Sequence, residues 1–159
     1  MSIKRTIYSG SQLLEACDSA NYEVVVHLLK SNSVNINEKG RYGRSPLFLA
    51  CRIGSLQIVK ALVEGGADIE QKNDHGFSPL YCASLHNKVE IVQYLISIGA
   101  NLSAADVGGL TPLHIAAEKG HSLVVESLVQ LGANQDLYDN IGNKALDWAK
   151  LKGNTASHK

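Results

Sequence analysis

The chain has 159 residues with 15 basic and 15 acidic side chains, so its formal net charge is zero. Hydrophobic residues make up 45% of the chain and charged residues 19%, a composition that is typical of a folded globular protein and excludes a disordered one. The lack of a basic excess argues against a nucleic-acid or anionic-membrane binder, and no apolar run approaches the roughly 18 residues that span a bilayer.

The N-terminal residues and the cysteines point to an intracellular protein. Lys4 and Arg5 are not followed by an apolar stretch, so this segment is not a secretory signal. Cys17, Cys51 and Cys82 form an odd, sparse set without a CxxC pair, which predicts neither a disulfide framework nor a zinc site. We therefore expect a reducing compartment, the cytoplasm, with the nucleus as the alternative.

A period of 33 residues organises most of the chain. It separates three prolines, four glycines and four leucines: Pro46, Pro79, Pro112, Gly43, Gly76, Gly109, Gly142, Leu47, Leu80, Leu113 and Leu146. A fixed period of this length indicates a repeat array in which each unit is one supersecondary structure. We divide the single domain, 1–159, into five units at approximately 7–39, 40–72, 73–105, 106–138 and 139–159.

The first unit matches the others less closely and is predicted to be an N-terminal cap. Its apolar residues stand 34 residues before their equivalents in the second unit, as Leu13 does before Leu47. We place the extra residue in the turn between Ser31 and Asn35, because a turn tolerates an insertion that a helix does not. Tyr8 is expected beside Tyr42 if this unit has a partial finger.

Units two to four each predict two helices joined by a tight turn. Ser45, Ser78 and Thr111 are suited to cap the first helix, and the proline after each lies where its missing N–H costs nothing. The first helix then ends at a residue that favours the left-handed conformation: Gly54, Asn87 or Gly120. Apolar residues spaced three and four apart predict the second helix, which ends at a Gly-Ala-Asp or Gly-Ala-Asn segment.

The last unit contains the pattern of only one helix, predicted at 145–152. Its second helix is missing from the sequence. Two interpretations stay open: the single helix serves as a minimal C-terminal cap, or the chain is cut from a longer protein.

The 33-residue step and one recurring phrase resemble the ankyrin repeat family. The phrase is Thr111-Pro112-Leu113-His114, with the variants Ser45-Pro46-Leu47-Phe48 and Ser78-Pro79-Leu80-Tyr81. The resemblance covers about 12–154 and implies an all-α solenoid of stacked helix-turn-helix units with protruding β-hairpin fingers. It also implies that a partner binds to the fingers and to the concave face of the first helices.

The family resemblance raises one modification. Leu29, Ile36 and Asn37 have the spacing of the asparagine-hydroxylation pattern found in many ankyrin repeats. Whether Asn37 is hydroxylated stays open, since the inserted residue alters that turn.

No pattern in the chain predicts a catalytic residue, a cofactor or a metal. The motifs GxxxxGK[ST], GxSxG, HExxH and GxGxxG are absent. His114 is expected to form a structural hydrogen bond, because its equivalents are Phe48, Tyr81 and Asp147. The cysteines are expected to fill the core, and the turn carboxylates Asp136 and Asp139 are expected to be solvated.

Residues that break the repeat at the fingers and at the ends of the inner helices are predicted to bind a partner, since the stack does not need them. On the fingers they are Arg41, Tyr42, Arg44, Asp74, His75, Phe77, Val107, Leu110 and Ile141. On the inner helices they are Arg52, Ile53, Leu85, His86, Glu118 and Lys119. Four of them predict an apolar row across the fingers, namely Tyr42, Phe77, Leu110 and Ile141, and three arginines predict a basic area. Aromatic residues and arginine are enriched in binding hot spots.

The leading hypothesis is a non-catalytic protein–protein interaction module, a scaffold, adaptor or inhibitor that is a monomer on its own. The alternative is the recognition arm of a larger protein, such as a ubiquitin-ligase adaptor, a channel, or a bacterial or viral effector. Nucleic-acid or lipid binding through three arginines has less support in a neutral protein, and membrane insertion is not expected. The sequence does not name the partner.

Overall fold

Short helices in helix–turn–helix pairs follow one another through residues 11–153, the part of the chain that the computed structural model describes. Their bounds are α1 Gln12–Asp18, α2 Tyr22–Lys30, α3 Pro46–Ile53, α4 Leu56–Glu64, α5 Pro79–Leu85, α6 Val89–Ser97, α7 Pro112–Lys119, α8 Ser122–Gln130 and α9 Ala145–Leu151. No helix in this part of the chain is both long and apolar enough to cross a bilayer.

The helices stack in two rows. The first helices of the units, α1, α3, α5, α7 and α9, each pack on the next, and the second helices, α2, α4, α6 and α8, form a parallel row. Ala50, Ala83, Ala116 and Ala149 are fully buried, and such small side chains let neighbouring first helices approach closely. The apolar core lies between the two rows and runs along the whole stack.

The predicted helix starts are confirmed. The hydroxyl oxygens of Ser45 and Ser78 accept from the backbone N–H groups of Phe48 and Tyr81 at 3.1 Å. Thr111 caps α7 in the same way, and each proline occupies the first helical turn. Helix α9 begins differently, because Lys144 stands at the cap position and the Asp147 carboxylate accepts from its N–H at 2.9 Å.

The predicted left-handed ends of the first helices are also confirmed. The φ angles are 92° at Gly54, 74° at Gly120 and 61° at Asn87. Ala20 takes the equivalent place in the first unit with φ 58°, a conformation that costs a residue with a Cβ about 1 kcal/mol.

The structure shows which residue between Ser31 and Asn35 is the extra one of the first unit. Asn32 has φ 58° and takes the place of Gly66, which follows it by 34 residues. Asn35 and Asp68 are only 33 apart, yet their carboxamide and carboxylate oxygens accept equivalent bonds from the N–H groups of Asn37 and Glu70. Val34, like Ala67, packs against the core. The extra residue is therefore Ser33.

The fingers are tighter than the predicted β-hairpins. Each is a five-residue loop closed by one backbone hydrogen bond, for example Asn73 N to Phe77 O at 3.0 Å and Asp106 N to Leu110 O at 2.9 Å. Within residues 11–153 no β-strand forms at these positions. Neighbouring fingers are tied by the bonds from Asp74 N to Tyr42 O at 3.0 Å and from Asn140 N to Gly108 O at 2.9 Å.

Candidate partner-binding surface

The finger residues lie in three rows, because the repeat places residues 33 apart side by side. Tyr42 and Ile141 occupy one row at the tips and are 54% and 75% exposed. Phe77 and Leu110 lie two residues further along their loops, in a half-buried second row with Arg44. The predicted single apolar row across four fingers is therefore wrong. Val107 is 77% exposed and belongs to the third row, with Arg41 and Asp74.

Phe77 packs against another residue of its own unit. This is contrary to the expectation that the repeat stack does not need this side chain. Its ring lies 4.4 Å from the ring of Tyr81 in a stacked arrangement, and the ring of His75 is 5.6 Å away. The Tyr81 hydroxyl donates to Asp106 of the next finger at 2.8 Å. Burial, and then the bond to Asp106, raises the pKa of Tyr81 above its ordinary value. Phe77 thus helps to fix the third finger against its own first helix.

Three arginines converge on a cleft beside the second finger, which we call the arginine cleft. Its lining residues enclose about 280 Å³ and are Asp18, Gly40, Arg41, Tyr42, Arg44, Leu49 and Arg52. Arg52 Nη2 donates to Asp18 Oδ1 at 2.7 Å. The guanidinium of Arg44 lies over the rings of Tyr42 and Phe48, at 5.1 and 6.0 Å from their centroids. The three arginines of the predicted basic area therefore do lie together.

The remaining predicted residues of the inner helices differ in exposure and charge. His86 and Lys119 are exposed, Ile53 is 38% exposed, and Leu85 is half-buried. Partial burial lowers the pKa of His86, and the neighbouring Arg52, Lys88 and Arg44 lower it further. In the fourth unit Glu118 pairs with Lys152 at 3.7 Å. Cations thus surround His86 at the inner-helix ends of the second and third units, whereas Glu118 and Lys152 pair at those of the fourth and fifth. Tyr8, expected beside Tyr42, lies outside the described residues.

Comparison with known proteins agrees with the repeat. A family model for ankyrin repeats in three copies matches residues 13–106, and the model for a single ankyrin repeat matches residues 108–140. The chain belongs to the ankyrin repeat family. The predicted all-α repeat solenoid is thereby confirmed, with fingers that are turns where hairpin strands were expected.

The relatives that match this ankyrin-repeat chain are much longer proteins. The putative ankyrin repeat protein R96 of Acanthamoeba polyphaga mimivirus is 41% identical over 58 residues, 36% of this chain and 6% of that protein. The serine/threonine-protein kinase TNNI3K of Mus musculus is 37% identical over 65 residues, 40% of this chain and 8% of the kinase. The kinase of the same name from Rattus norvegicus is 43% identical over 47 residues, 30% of this chain and 6% of the kinase. The matched stretch thus spans less than a tenth of each of these relatives.

The histidine of the repeat phrase has the structural role that was predicted. His114 is 1% exposed. Its Nδ1 accepts from the Thr111 N–H at 3.1 Å, so Nε2 carries the proton and donates to the Asn143 carbonyl at 2.9 Å. This bond ties the fourth unit to the finger of the fifth unit.

The cysteines are also core residues, as predicted. Cys17, Cys51 and Cys82 are free thiols at 0% exposure. Burial, and then Glu38 and Asp18, raises the pKa of Cys17 to about 12. Burial raises the pKa of Cys82 to about 12 as well, although nearby arginines oppose the shift. Thiols in this state are poor nucleophiles. Among the described residues, no three His, Cys, Asp or Glu side chains are grouped in a way that could hold a metal ion.

Sequence reasoning missed two features of this surface. Asp139, expected to be solvated, is 6% exposed and accepts from Trp148 Nε1 at 2.6 Å, so that prediction is wrong. Asp136 is exposed, as expected. The ion pair between Asp18 and Arg52 was also missed, although the two stand 34 residues apart at equivalent positions of adjacent units. Opposite charges in that register were the available signal.

Proposed function

We propose that this ankyrin-repeat chain is a non-catalytic protein–protein interaction module that holds a protein or peptide partner with its finger tips and concave inner-helix face. The observation that supports this most is that three fingers expose large apolar side chains, Tyr42, Val107 and Ile141, and that Tyr42 also lines the arginine cleft. Val107 and Ile141 stand on adjacent fingers, and exposed apolar patches mark interaction sites. The described packing uses none of these three tips as core residues.

The proposed contact residues are those that the sequence predicted, divided here by how exposed each side chain is. The exposed members are Arg41, Tyr42, Ile53, Asp74, His75, His86, Val107, Lys119 and Ile141. The half-buried members present only part of their surface and also support the fingers or the concave face: Arg44, Arg52, Phe77, Leu85, Leu110 and Glu118. Scaffold, adaptor and inhibitor are all roles that such a surface can serve, and we place the protein in the cytoplasm or nucleus as a monomer.

A second candidate function is that the chain is the recognition arm of a larger protein. The observation that favours it is that the matched stretch is 8% of the mouse kinase and 6% of the viral protein, so related repeats occur inside much longer chains. The kinase activity named for that relative is not extended to this chain, because the aligned residues belong to the repeats. Sequencing the complete transcript distinguishes the two: a further domain in the same reading frame supports the arm, and its absence supports the stand-alone module.

Affinity capture with quantitative mass spectrometry tests the proposed surface. The variant Tyr42→Ala with Ile141→Ala removes two exposed tips, and we expect it to recover a specific partner about fivefold less well, as hot-spot truncation does. Phe77 is left intact because it packs on Tyr81. Thermal melting of the variant should stay within about 2 °C of the parent, since exposed side chains contribute little to stability.

A matched control removes similar residue types from elsewhere. Tyr22 and Leu123 are 40% and 62% exposed and lie on the second helices α2 and α8, outside the finger loops. Replacing both with Ala should leave capture unchanged. Equal recovery by the parent and the Tyr42/Ile141 variant would rule out the tips as the binding surface.

A further inference from the structure

We propose that the arginine cleft binds the carboxylate side chains of an acidic peptide segment in the partner. This inference rests on the proposed function and adds the chemistry of what is bound. The lining brings three guanidinium groups together, those of Arg41, Arg44 and Arg52, against one carboxylate, that of Asp18. The cleft therefore has an excess of positive charge in a protein whose net charge is zero.

Arg44 is held in place without being neutralised. Its guanidinium carbon lies 5.1 Å from the centroid of the Tyr42 ring and 6.0 Å from that of Phe48, and these cation–π contacts restrict where the group lies. Within residues 11–153 it forms no salt bridge, and its Nε is shielded from solvent with no hydrogen-bond acceptor. A planar guanidinium that is restricted in this way can take a carboxylate through two parallel N–H donors at a small cost in side-chain entropy.

Arg52 shows that a carboxylate fits this environment. Its Nη2 is 2.7 Å from Asp18 Oδ1, and its Nε is also shielded without an acceptor among the described residues. Both members of the pair remain partly exposed, with side-chain exposures of 33% and 27%. The side chain of Asp18 thus already fills the carboxylate position at Arg52. A ligand carboxylate that approaches Arg44 would lie beside Asp18.

The positive field extends from the cleft onto the third unit. The pKa of His86 is lowered first by partial burial and then by Arg52, Lys88, Arg44 and His121. On the fingers, the carboxylate of Asp74 lies against Gly43, between the lining residues Tyr42 and Arg44, but Asp74 is not itself part of the lining. An extended acidic segment that runs from Arg41 toward Lys88 would therefore meet cations along its path.

An acidic peptide fits the cleft better than a nucleic acid does. A nucleic acid needs many phosphate contacts along an extended basic surface, and each contact makes the affinity more salt-dependent. Here three arginines lie within a single cleft, and at the other end of the stack Lys152 is paired with Glu118. Tyr42 in the lining, which is 54% exposed, suits the aliphatic part of a peptide side chain.

Fluorescence anisotropy with two synthetic probes tests the inference. One probe is a short fluorescein-labelled peptide of alternating Glu and Ser, and the other has Gln in place of every Glu. At about 50 mM salt we expect the Glu probe to bind the intact chain about tenfold more tightly, because hydrogen bonds to a charged partner are the stronger kind. Arg41→Gln with Arg44→Gln should abolish that preference.

Two further variants make the test specific. Lys30→Gln with Lys150→Gln removes the same net charge from exposed positions on α2 and α9, and it should change the affinity less than about twofold, since charges distant from the cleft are screened. Asp18→Asn removes the internal competitor of Arg52, and we expect it to tighten the Glu probe about threefold. A merely structural role of Asp18 predicts no tightening.

Three results would overturn the inference. The first is equal affinity for the Glu and Gln probes. The second is that the Lys30/Lys150 control loses as much affinity for the Glu probe as the Arg41/Arg44 variant does. The third is that a mixed oligonucleotide binds more tightly than the Glu probe and that its affinity depends on Arg41 and Arg44 in the same way. The capture experiment separates the two ideas through Ile141, which lies outside the lining of the cleft, whereas Tyr42 belongs to it. If partner capture depends on Tyr42 and Ile141 while the Glu probe is not preferred, the proposed function stands and the acidic specificity is wrong.

Discussion

At the scale of single residues, one aspartate position organises successive fingers. Asp139 Oδ1 accepts from the N–H groups of Ile141 and Asn143 at 3.0 and 2.8 Å, while Oδ2 accepts from Trp148 Nε1. Asp106 forms the same pattern, with the hydroxyl of Tyr81 as its aromatic donor. The carboxylate therefore closes the loop and also ties it to a first helix. The second unit has Gly40 at this place and lacks the carboxylate.

Asp139 should make the end of the stack sensitive to acid. Burial alone would raise its pKa, but hydrogen bonds from Asn143, Trp148 and Ile141 outweigh burial and hold the pKa below its ordinary value. A carboxyl with a depressed folded-state pKa stabilises the fold above its unfolded pKa of about 3.9, and this stabilisation is lost as the pH falls through the folded value. Asp139→Asn should destabilise the protein by about 1 to 3 kcal/mol at neutral pH and flatten its acid dependence.

The fluorescence of Trp148, the only tryptophan of the chain, reports this transition during a titration from about pH 6 to about pH 2 in intermediate urea, a range that brackets the ordinary carboxyl pKa. Asp136→Asn is the control, because the Asp136 side chain is 83% exposed and its ion pair with Lys144 is long, at 3.5 Å. If both variants titrate like the parent, Asp139 does not contribute to acid stability.

At the scale of the element, the fingers depend on glycines with left-handed backbone. Gly109 has φ +82°, and a Cβ on it would lie 2.8 Å from the backbone nitrogen of Asn140 in the next finger. Gly142 has φ +88°, but a Cβ on it would meet no atom of another residue within 4 Å beyond its chain neighbours. The first glycine is required by conformation and by close approach, and the second by conformation alone.

Alanine substitution should separate these two requirements. Gly142→Ala should cost about 1 kcal/mol from backbone strain, and Gly109→Ala about twice as much or more, because it also pushes Asn140 N away from Gly108 O, now 2.9 Å apart. Urea denaturation of both variants measures the difference. Equal losses would mean that contact between the fourth and fifth fingers does not contribute to stability.

At the scale of the whole molecule, every first helix between the ends packs on two neighbours. Helix α5 lies between α3 and α7, whereas α9 packs on α7. Interactions in such a stack are made only between adjacent units, so stability is a sum of unit and interface terms. The terminal units should therefore open more easily than the middle ones.

The exact boundaries of the five units remain a prediction of the sequence period.

Native-state hydrogen exchange should show this gradient. We expect the slowest amide exchange in α5 and its neighbours, where Leu80 and Ala83 are 1% and 0% exposed, and the fastest in α9. The reason is that opening a terminal unit breaks one interface and opening a central unit breaks two. Peptide-resolved mass spectrometry gives the profile, and uniform protection across the helices would contradict a stack with nearest-neighbour stability.

The surface could be predicted only in part. The sequence located Arg41, Arg44 and Arg52 on one finger and one inner helix, and the structure places them in one cleft. The predicted apolar row placed Phe77 and Leu110 beside Tyr42 and Ile141, although the 33-residue period puts them in the row of Arg44, so this prediction misread the sequence itself. Burial of Asp139 was missed for a different reason, since its partner Trp148 belongs to the following helix.

The helices, their caps and their left-handed ends were determined by the sequence itself. Ser45, Pro46 and Gly54 act within a turn or two of the backbone, so their effect does not depend on distant residues. The ion pair of Asp18 with Arg52 and the backbone bonds between neighbouring fingers were decided by the tertiary structure. Each of these needs residues about 33 apart to lie side by side, and only the packing of one unit on the next fixes that contact.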